Sequence, residues 1–199
     1  MAPIGVVVYM NTLKTIYGTF AFSLYFLIIP AQVIASEPLK EALTKTSANV
    51  VFMRHALAPG FGDPAEFQIN DCSTQRNLDE VGRGQATAIG LYLREHKIEF
   101  DAILSSQWCR CKQTASLLDL GSWTEFAGLN SFFQGHADRT ETLNKLQRKL
   151  DSLPDNALVL MITHQVVISA VTEIAPASGG LVVYNAGTGD FQDVQLKTP

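Results

Sequence analysis

The sequence predicts an α/β domain, three layers (α/β/α) built around a largely parallel sheet. Three observations carry that expectation. Short runs rich in branched apolar residues alternate with longer segments whose apolar residues recur every three or four positions, the pattern of strands joined by helical crossovers. Two of the runs, Val50-Val51-Phe52-Met53 and Leu158-Val159-Leu160-Met161-Ile162, are apolar throughout, as strands covered on both faces are. Both lead into a histidine, His55 directly after Arg54 and His164 directly after Thr163. The chain has only 4 histidines in 199 residues, and open α/β sheets keep their ligand crevice outside the carboxyl ends of the strands.

The amino-terminal stretch is of another kind. Between Met1 and Ser36 the only charge is Lys14, followed by the apolar Thr15–Ile29, then Pro30 and the small residues around Ala35. A basic residue, an apolar core and a small-residue end predict a signal peptide over residues 1–35 and an exported protein, periplasmic or secreted. An uncleaved anchor is the alternative, since Thr15–Ile34 is about long enough to span a bilayer; only in that case is a membrane expected as a partner. Residues 36–48 read as a polar, partly helical leader, and residues 49–199 as one domain.

The elements of that domain follow in order. The first strand is Asn49–Arg54. A long loop, Ala56–Asn77, carries Pro59, Gly60, Gly62 and Pro64 and starts beside His55, well placed to cover the crevice. Asp79 is suited to cap a helix running to His96, whose Val81, Ala86, Ile89, Gly90 and Leu93 fall near one core-facing stripe. Phe100–Leu104 is a second strand ending at Ser105-Ser106. A helix from Gln107 or Trp108 to Leu118, a strand at Trp123–Leu129 and a helix over Thr140–Leu153, stopped by Pro154, come next. The strand before His164 is Ala157–Thr163, and Gln165–Ile174 is a short apolar helix. Gly180–Tyr184 and Phe191–Leu196 alternate as a closing hairpin.

The formal net charge of −4 argues against nucleic acid as a partner, because phosphate-backbone binding is driven by Lys and Arg. A phosphate that binds must be drawn by a local basic pocket. The three cysteines, Cys72, Cys109 and Cys111, do not have zinc-site spacing. Cys109 and Cys111 lie two apart on an expected helix and face different ways. Cys111 shares a stripe with Ala115 and Leu118, so Cys109 is the expected disulfide partner of Cys72.

A parallel sheet gathers the ends of its strands, so Arg54-His55, Ser105-Ser106 leading to Arg110, and His164 are expected at one edge. Two guanidiniums suit bidentate grip on phosphate oxygens. They also disfavour protonation of a nearby imidazole, which keeps His55 neutral and nucleophilic. Histidine can carry a covalent intermediate that divides one hard displacement into two easier ones.

With these residues the sequence resembles the histidine phosphatase superfamily, the phosphoglycerate mutase-like fold. The family's Arg-His is present as Arg54-His55. Its Arg-x-Leu-(Thr/Ser)-x-x-Gly-x-x-Gln-Ala segment corresponds to Arg76–Ala86, with Leu78, Gly82 and Gln85 in place. Its Ser-Ser-x-x-x-Arg-Ala-x-x-Thr-Ala segment corresponds to Ser105–Ala115, with Arg110 and Thr114 in place. The late histidine is His164. The resemblance implies that His55 is the residue phosphorylated, that Arg54 and Arg110 hold the phosphate, and that His164 completes the pocket. It implies neither cofactor nor metal, a small-molecule phosphate ester, a phosphoprotein or phosphohistidine as substrate, and a monomer of the small, insertion-poor branch. The alternative is a weak or inactive phosphate-binding module of the same fold.

The chain departs from the family in three places. Ala56 stands where many members have Gly, Cys111 where the family has Ala, and no carboxylate stands at either position where the family keeps its proton donor. Gln165 follows the late histidine, and Leu129–Phe133 follows the third strand. Asp63, Glu66, Glu125 and Asp138 are the remaining candidates, and the sequence leaves the choice among them open. Arg76 and Arg83 read as solvated or helix-capping residues, His96 and His136 as surface residues, and Trp108 as a packing residue close to the pocket.

Overall fold

Strands β1 (Val50–Arg54), β2 (Ala102–Ser105), β3 (Thr124–Glu125), β4 (Val159–Thr163), β5 (Leu181–Tyr184) and β6 (Phe191–Val194) form one sheet. Their order is β3-β2-β4-β1-β5-β6. The computed structural model describes Met1, residues 38–154 and residues 156–196. The expected signal peptide therefore lies outside the described residues, Met1 apart. Chain contacts separate Met1–Ile34 from a second unit, Ala35–Pro199, and the fold described is that of the second.

The sheet is mixed, with a parallel centre. β4 pairs in parallel with β1 on one side and β2 on the other, Arg54 lying opposite Thr163 and Ser105 opposite Ile162. β5 runs antiparallel to β1, and β6 closes the hairpin. Strands β1, β2 and β4 thus end together, which brings Arg54-His55, Ser105-Ser106 and Thr163-His164 to one edge, as expected from the sequence.

The fully apolar runs are explained by cover on both faces. Helices α1 (Pro38–Thr46), α2 (Glu80–Glu95) and α3 (Cys109–Leu118) share one core with Val51, Met53, Leu160, Ile162, Leu181 and Val183. Helices α4 (Arg139–Asp151) and α5 (Gln165–Thr172) share the other with the alternate residues Val50, Phe52, Val159, Met161 and Val182. Each large apolar side chain fully buried this way contributes about 1.5–3 kcal/mol. The α2 start is capped as expected, the Asp79 carboxylate accepting from Gly82 N at 2.7 Å.

Two expectations need correction. The polar segment 36–48 is more than a leader, because α1 buries Leu39 and Ala42 completely in the first core. The strand expected over Trp123–Leu129 is only Thr124–Glu125, followed by a 3-10 turn at Ala127–Leu129. Gly128 permits the close approach of this turn to α4, since a Cβ there would lie 2.5 Å from the Phe126 ring and 2.9 Å from Leu146 N.

Candidate active site

The edge where β1, β2 and β4 end opens into a pocket of about 150 Å³, lined by Arg54, His55, Arg76, Arg110, His164 and Gln165, with Gly60, Phe61, Gly62, Ser131, Phe133 and Val166 around them. All four residues expected at the site are present: Arg54, His55, Arg110 and His164.

His55 follows β1 and is 2% exposed. Its backbone is pinned by the turn that leads into β5, Gly179 N donating to both Arg54 O and His55 O at 3.2 and 3.1 Å. Its Nδ1 lies 2.7 Å from Ala56 O. The carbonyl can only accept, so Nδ1 carries the hydrogen and Nε2 is left with a bare lone pair. That Nε2 faces Arg110 Nε at 3.1 Å. Burial first, and then the charge of Arg110, push the His55 pKa well below the ordinary histidine value.

The peptide after His55 is held by the family-like segments, which gives their residue types a physical reason. Ala56 N donates to Thr114 Oγ1 at 3.1 Å, and Thr114 Oγ1 donates to Arg110 O at 2.7 Å. Leu57 N donates to Gln85 Oε1 at 2.9 Å. Gly82 is packed so closely on Leu57 that a Cβ would meet its carbonyl oxygen at 1.9 Å.

His164 follows the central strand β4 and is 3% exposed. Arg110 Nη2, which can only donate, lies 3.4 Å from His164 Nδ1. The consistent assignment leaves Nδ1 bare and lets Nε2–H donate to Ser106 Oγ at 2.9 Å, which in turn donates to Asn130 Oδ1 at 3.2 Å. Burial and the Arg110 charge lower this imidazole as well. The two rings lie 5.4 Å apart, centre to centre. The positive end of α5 starts here, adding to the pull on an anion.

Arg54 donates from Nη1 to Pro176 O at 2.9 Å, and its Nε is buried with no hydrogen-bond partner among the described residues. Arg110, on the first turn of α3, has every N–H engaged: Nε toward His55, Nη1 toward Asp63 Oδ1 (2.7 Å) and Arg76 O (3.2 Å), Nη2 toward Asp63 Oδ2 (3.1 Å) and His164.

Of the four candidate proton donors, only Asp63 reaches this constellation. Besides Arg110, it accepts from Arg76 N at 3.0 Å and Trp108 Nε1 at 3.1 Å. Burial alone would raise its pKa, but the Arg110 hydrogen bonds and charge outweigh that and hold the carboxyl below the usual range. Held low, it is ionised in the free site. Glu66 is exposed. Glu125 pairs with Lys112 at 3.2 Å, and Asp138 caps α4 through Glu141 N at 2.7 Å. None of these three lines the pocket.

Arg76, read from sequence as solvated or capping, instead lines the pocket, held there by Gly62 O at 2.8 Å and by Ala58 O. Its place at the head of the Arg-x-Leu segment was the available signal. Trp108 is buried as expected but also hydrogen-bonds Asp63. Cys72 and Cys109 form the expected disulfide, and Cys111 is the buried free thiol. Burial pushes its pKa up to about 12, so it is no thiolate nucleophile. Among the described residues no cluster of His, Cys, Asp and Glu is arranged to hold a metal ion.

Residues 50–142 match the histidine phosphatase superfamily (branch 1). No curated protein matches the sequence. Among solved structures, a mycobacterial glucosyl-3-phosphoglycerate phosphatase is similar at 14% identity and a TM-score of 0.51, with 73% of this chain and 96% of that chain covered. The product of an open reading frame of Mycobacterium tuberculosis is similar at 15% identity and a TM-score of 0.51, covering 75% and 96%. The protein histidine phosphatase SixA, solved with tungstate, is 20% identical with a TM-score of 0.49, covering 72% and 92%. At such identities the two likenesses with TM-scores of 0.51 speak for the fold alone.

Proposed function

We propose that the chain, whose residues 50–142 match the histidine phosphatase superfamily (branch 1), is an exported phosphatase of that superfamily that cleaves phosphate monoesters, or phosphohistidine, through a phosphohistidine formed on His55. The observation that carries this reading is the bond from His55 Nδ1 to Ala56 O, which leaves Nε2 unprotonated beside the Arg110 guanidinium. A phosphate drawn between the two histidines would take over the Arg110 donors now given to His55 and His164. It would also give Arg54 Nε its missing partner.

The chemistry runs in two displacements. The Nε2 lone pair attacks phosphorus, and the bond to the leaving group breaks with its electrons going to that group. Water then attacks the phosphohistidine, the P–N bond returns its electrons to Nε2, and phosphate departs. The proton that water releases balances the anion expelled in the first step. Arg54, Arg110 and His164 stabilise the charge on the equatorial oxygens, where a loose transition state places it.

Among the described residues no carboxylate lines the pocket, where Gln165 and Ser131 stand instead, and this supports the absence of an acid that protonates the leaving group. The reading therefore favours leaving groups that depart unaided, such as aryl and enol oxygens or the nitrogen of phosphohistidine. Export rests on residues 1–35 alone. A first residue of Ser36 in the exported protein supports it, and retention of Lys14 with its apolar run supports the anchor.

The test is incubation of the protein with a chromogenic aryl phosphate, followed by trapping of acid-labile phosphate. Turnover that His55→Ala abolishes, with label on His55, is the expected result. Vanadate binding without turnover would instead mark a phosphate-binding module.

A further inference from the structure

We infer that the pocket mouth selects phosphate compounds with an aromatic, apolar leaving group, and that Phe61 and Phe133 are the specificity-determining pair. The inference deepens the phosphatase reading and rests on it.

The pocket has two chemically distinct ends. Its charged lining residues are Arg54, Arg76 and Arg110, all suited to a phosphoryl group; among the described residues no lysine or carboxylate lines it. A leaving group pointing outward meets Phe61, Phe133 and Val166 instead. Phe61 is 88% exposed and Phe133 38% exposed. Their ring centres are 5.1 Å apart, edge to face at 84°. Single exposed apolar side chains need no explanation. Two rings in contact, from separate loops at the mouth of an anion pocket, do.

The pair is also built in place. Gln134, next to Phe133, has φ 63°, a conformation that costs a residue with a side chain about 1–2 kcal/mol. From there its amide reaches the first loop, accepting from Asp63 N at 2.7 Å and donating to Asp63 O at 3.4 Å. Gly62, at φ 72°, makes room: a Cβ there would meet Gln134 Oε1 at 2.5 Å. The residue so latched is the one that grips Arg110 with its carboxylate. The aromatic rim and the phosphate grip therefore share one anchor, Asp63. A planar ring extending from a bound phosphate would find one open aromatic face and one edge, the arrangement aromatic pairs favour.

The test is calorimetric binding of phenylphosphonate and methylphosphonate, two non-hydrolysable probes that differ in the outward group, with turnover of an aryl phosphate followed in parallel. The wild-type protein should bind phenylphosphonate about tenfold more tightly. In Phe61→Ala, Phe133→Ala and the double variant that ratio should collapse toward one. Because Phe61 is almost fully exposed, its variant tests the rim without endangering the fold, and a ratio cancels any general loss of binding. Equal binding by the wild type, or a ratio that survives in the double variant, overturns the inference even where turnover upholds the phosphatase. Absence of both turnover and phosphonate binding overturns the two readings together.

Discussion

Asp63 holds Arg110 by the end of its guanidinium fork, Oδ1 to Nη1 at 2.7 Å and Oδ2 to Nη2 at 3.1 Å. The side of the fork, Nε and Nη2, is thereby turned to His55 and His164 at 3.1 and 3.4 Å. Asp63 thus positions the guanidinium that the proposed mechanism assigns to phosphate, and its lowered pKa leaves it ionised rather than ready to donate a proton. Asp63→Asn should lower kcat/KM by up to about 100-fold, the cost of a misplaced catalytic contact. The loss should be the same for aryl and alkyl phosphates. A loss concentrated on poor leaving groups would instead make Asp63 the acid. Both side chains are 4% exposed, so leaving Arg110 buried without its counter-charge should also cost about 3–5 kcal/mol of stability.

The pocket's floor was legible in the sequence, and its walls were not. Arg54-His55 and His164 could be placed because uninterrupted apolar runs mark buried strands, and parallel strands that share crossovers must end on one edge. Arg110 followed from its spacing after Ser105-Ser106. Asp63 was legible only as one acid among four, because its partner lies 47 residues away and no local periodicity links a loop to the first turn of a helix. Arg76 heads the Arg-x-Leu segment, which marked it, but the contacts that turn it into the pocket are to Gly62 O and Ala58 O, and backbone carbonyls have no sequence signature. The 3-10 turn at Ala127–Leu129 was hidden because Trp123–Leu129 is apolar enough for a strand. Only the fit of Gly128 against α4 reveals the turn.

Acid should unfold this protein through its own active site. His55 and His164 stay neutral in the fold below the pH at which they charge in the unfolded chain, about 6.5. As pH falls through that value the unfolded state binds more protons. Stability then drops by up to about 1.4 kcal/mol per pH unit for each histidine, until the folded values are reached. Asp63, held low, adds in the same direction: its contribution is present above the ordinary carboxyl value and is lost as pH falls through its folded pKa. Denaturant midpoints measured from pH 7.5 to 5 should fall, and should fall less steeply in His55→Asn and His164→Asn. An acid limb of kcat/KM centred on 6.5 would contradict a neutral, buried His55.

Two neighbouring glycines should respond in opposite ways to the same substitution. A methyl at Gly82 would meet Leu57 O at 1.9 Å, whereas one at Gly84 meets nothing within 4 Å. Gly82→Ala should cost about 1–3 kcal/mol by overpacking and, by pushing Leu57 away, should lower activity too. Gly84→Ala should add about 0.5–1 kcal/mol by restricting the unfolded chain and favouring α2. Thermal denaturation of both variants reads the difference. A Gly82→Ala protein with wild-type stability would mean that the loop after His55 yields freely.

Thiol chemistry should find a single, hidden cysteine. Cys111 is fully buried, with its thiol pushed up to about 12, while Cys72 and Cys109 are joined. The native oxidised protein should not react with a thiol reagent, the denatured one should show one thiol, and prior reduction should reveal three. Reduction should also weaken activity, since the bond ties the loop bearing Asp63 to the start of the helix bearing Arg110. Activity unchanged after verified reduction would confine the disulfide to a structural role.

The rate should depend steeply on the acidity of the leaving group. A positioned acid that protonates the departing oxygen is worth about 10²–10⁴ in rate, and its benefit is greatest for alkoxides. In this pocket the candidates are accounted for: Asp63 is ionised and bound to Arg110, Glu125 is paired with Lys112, Asp138 caps α4, and Glu66 lies in solvent. Aryl phosphates should therefore be turned over well and alkyl phosphates, sugar phosphates among them, slowly. Plotted against leaving-group pKa, log kcat/KM for a series of substituted phenyl phosphates should fall with a steep slope, and that slope should be the same in Glu66→Gln, Glu125→Gln and Asp138→Asn. A shallow slope would reveal a hidden donor, and the one amide variant that steepens it would identify the residue. Should none of them steepen it, His164, charged by the arriving phosphate dianion, is the remaining proton source, and His164→Asn would be the variant to measure next.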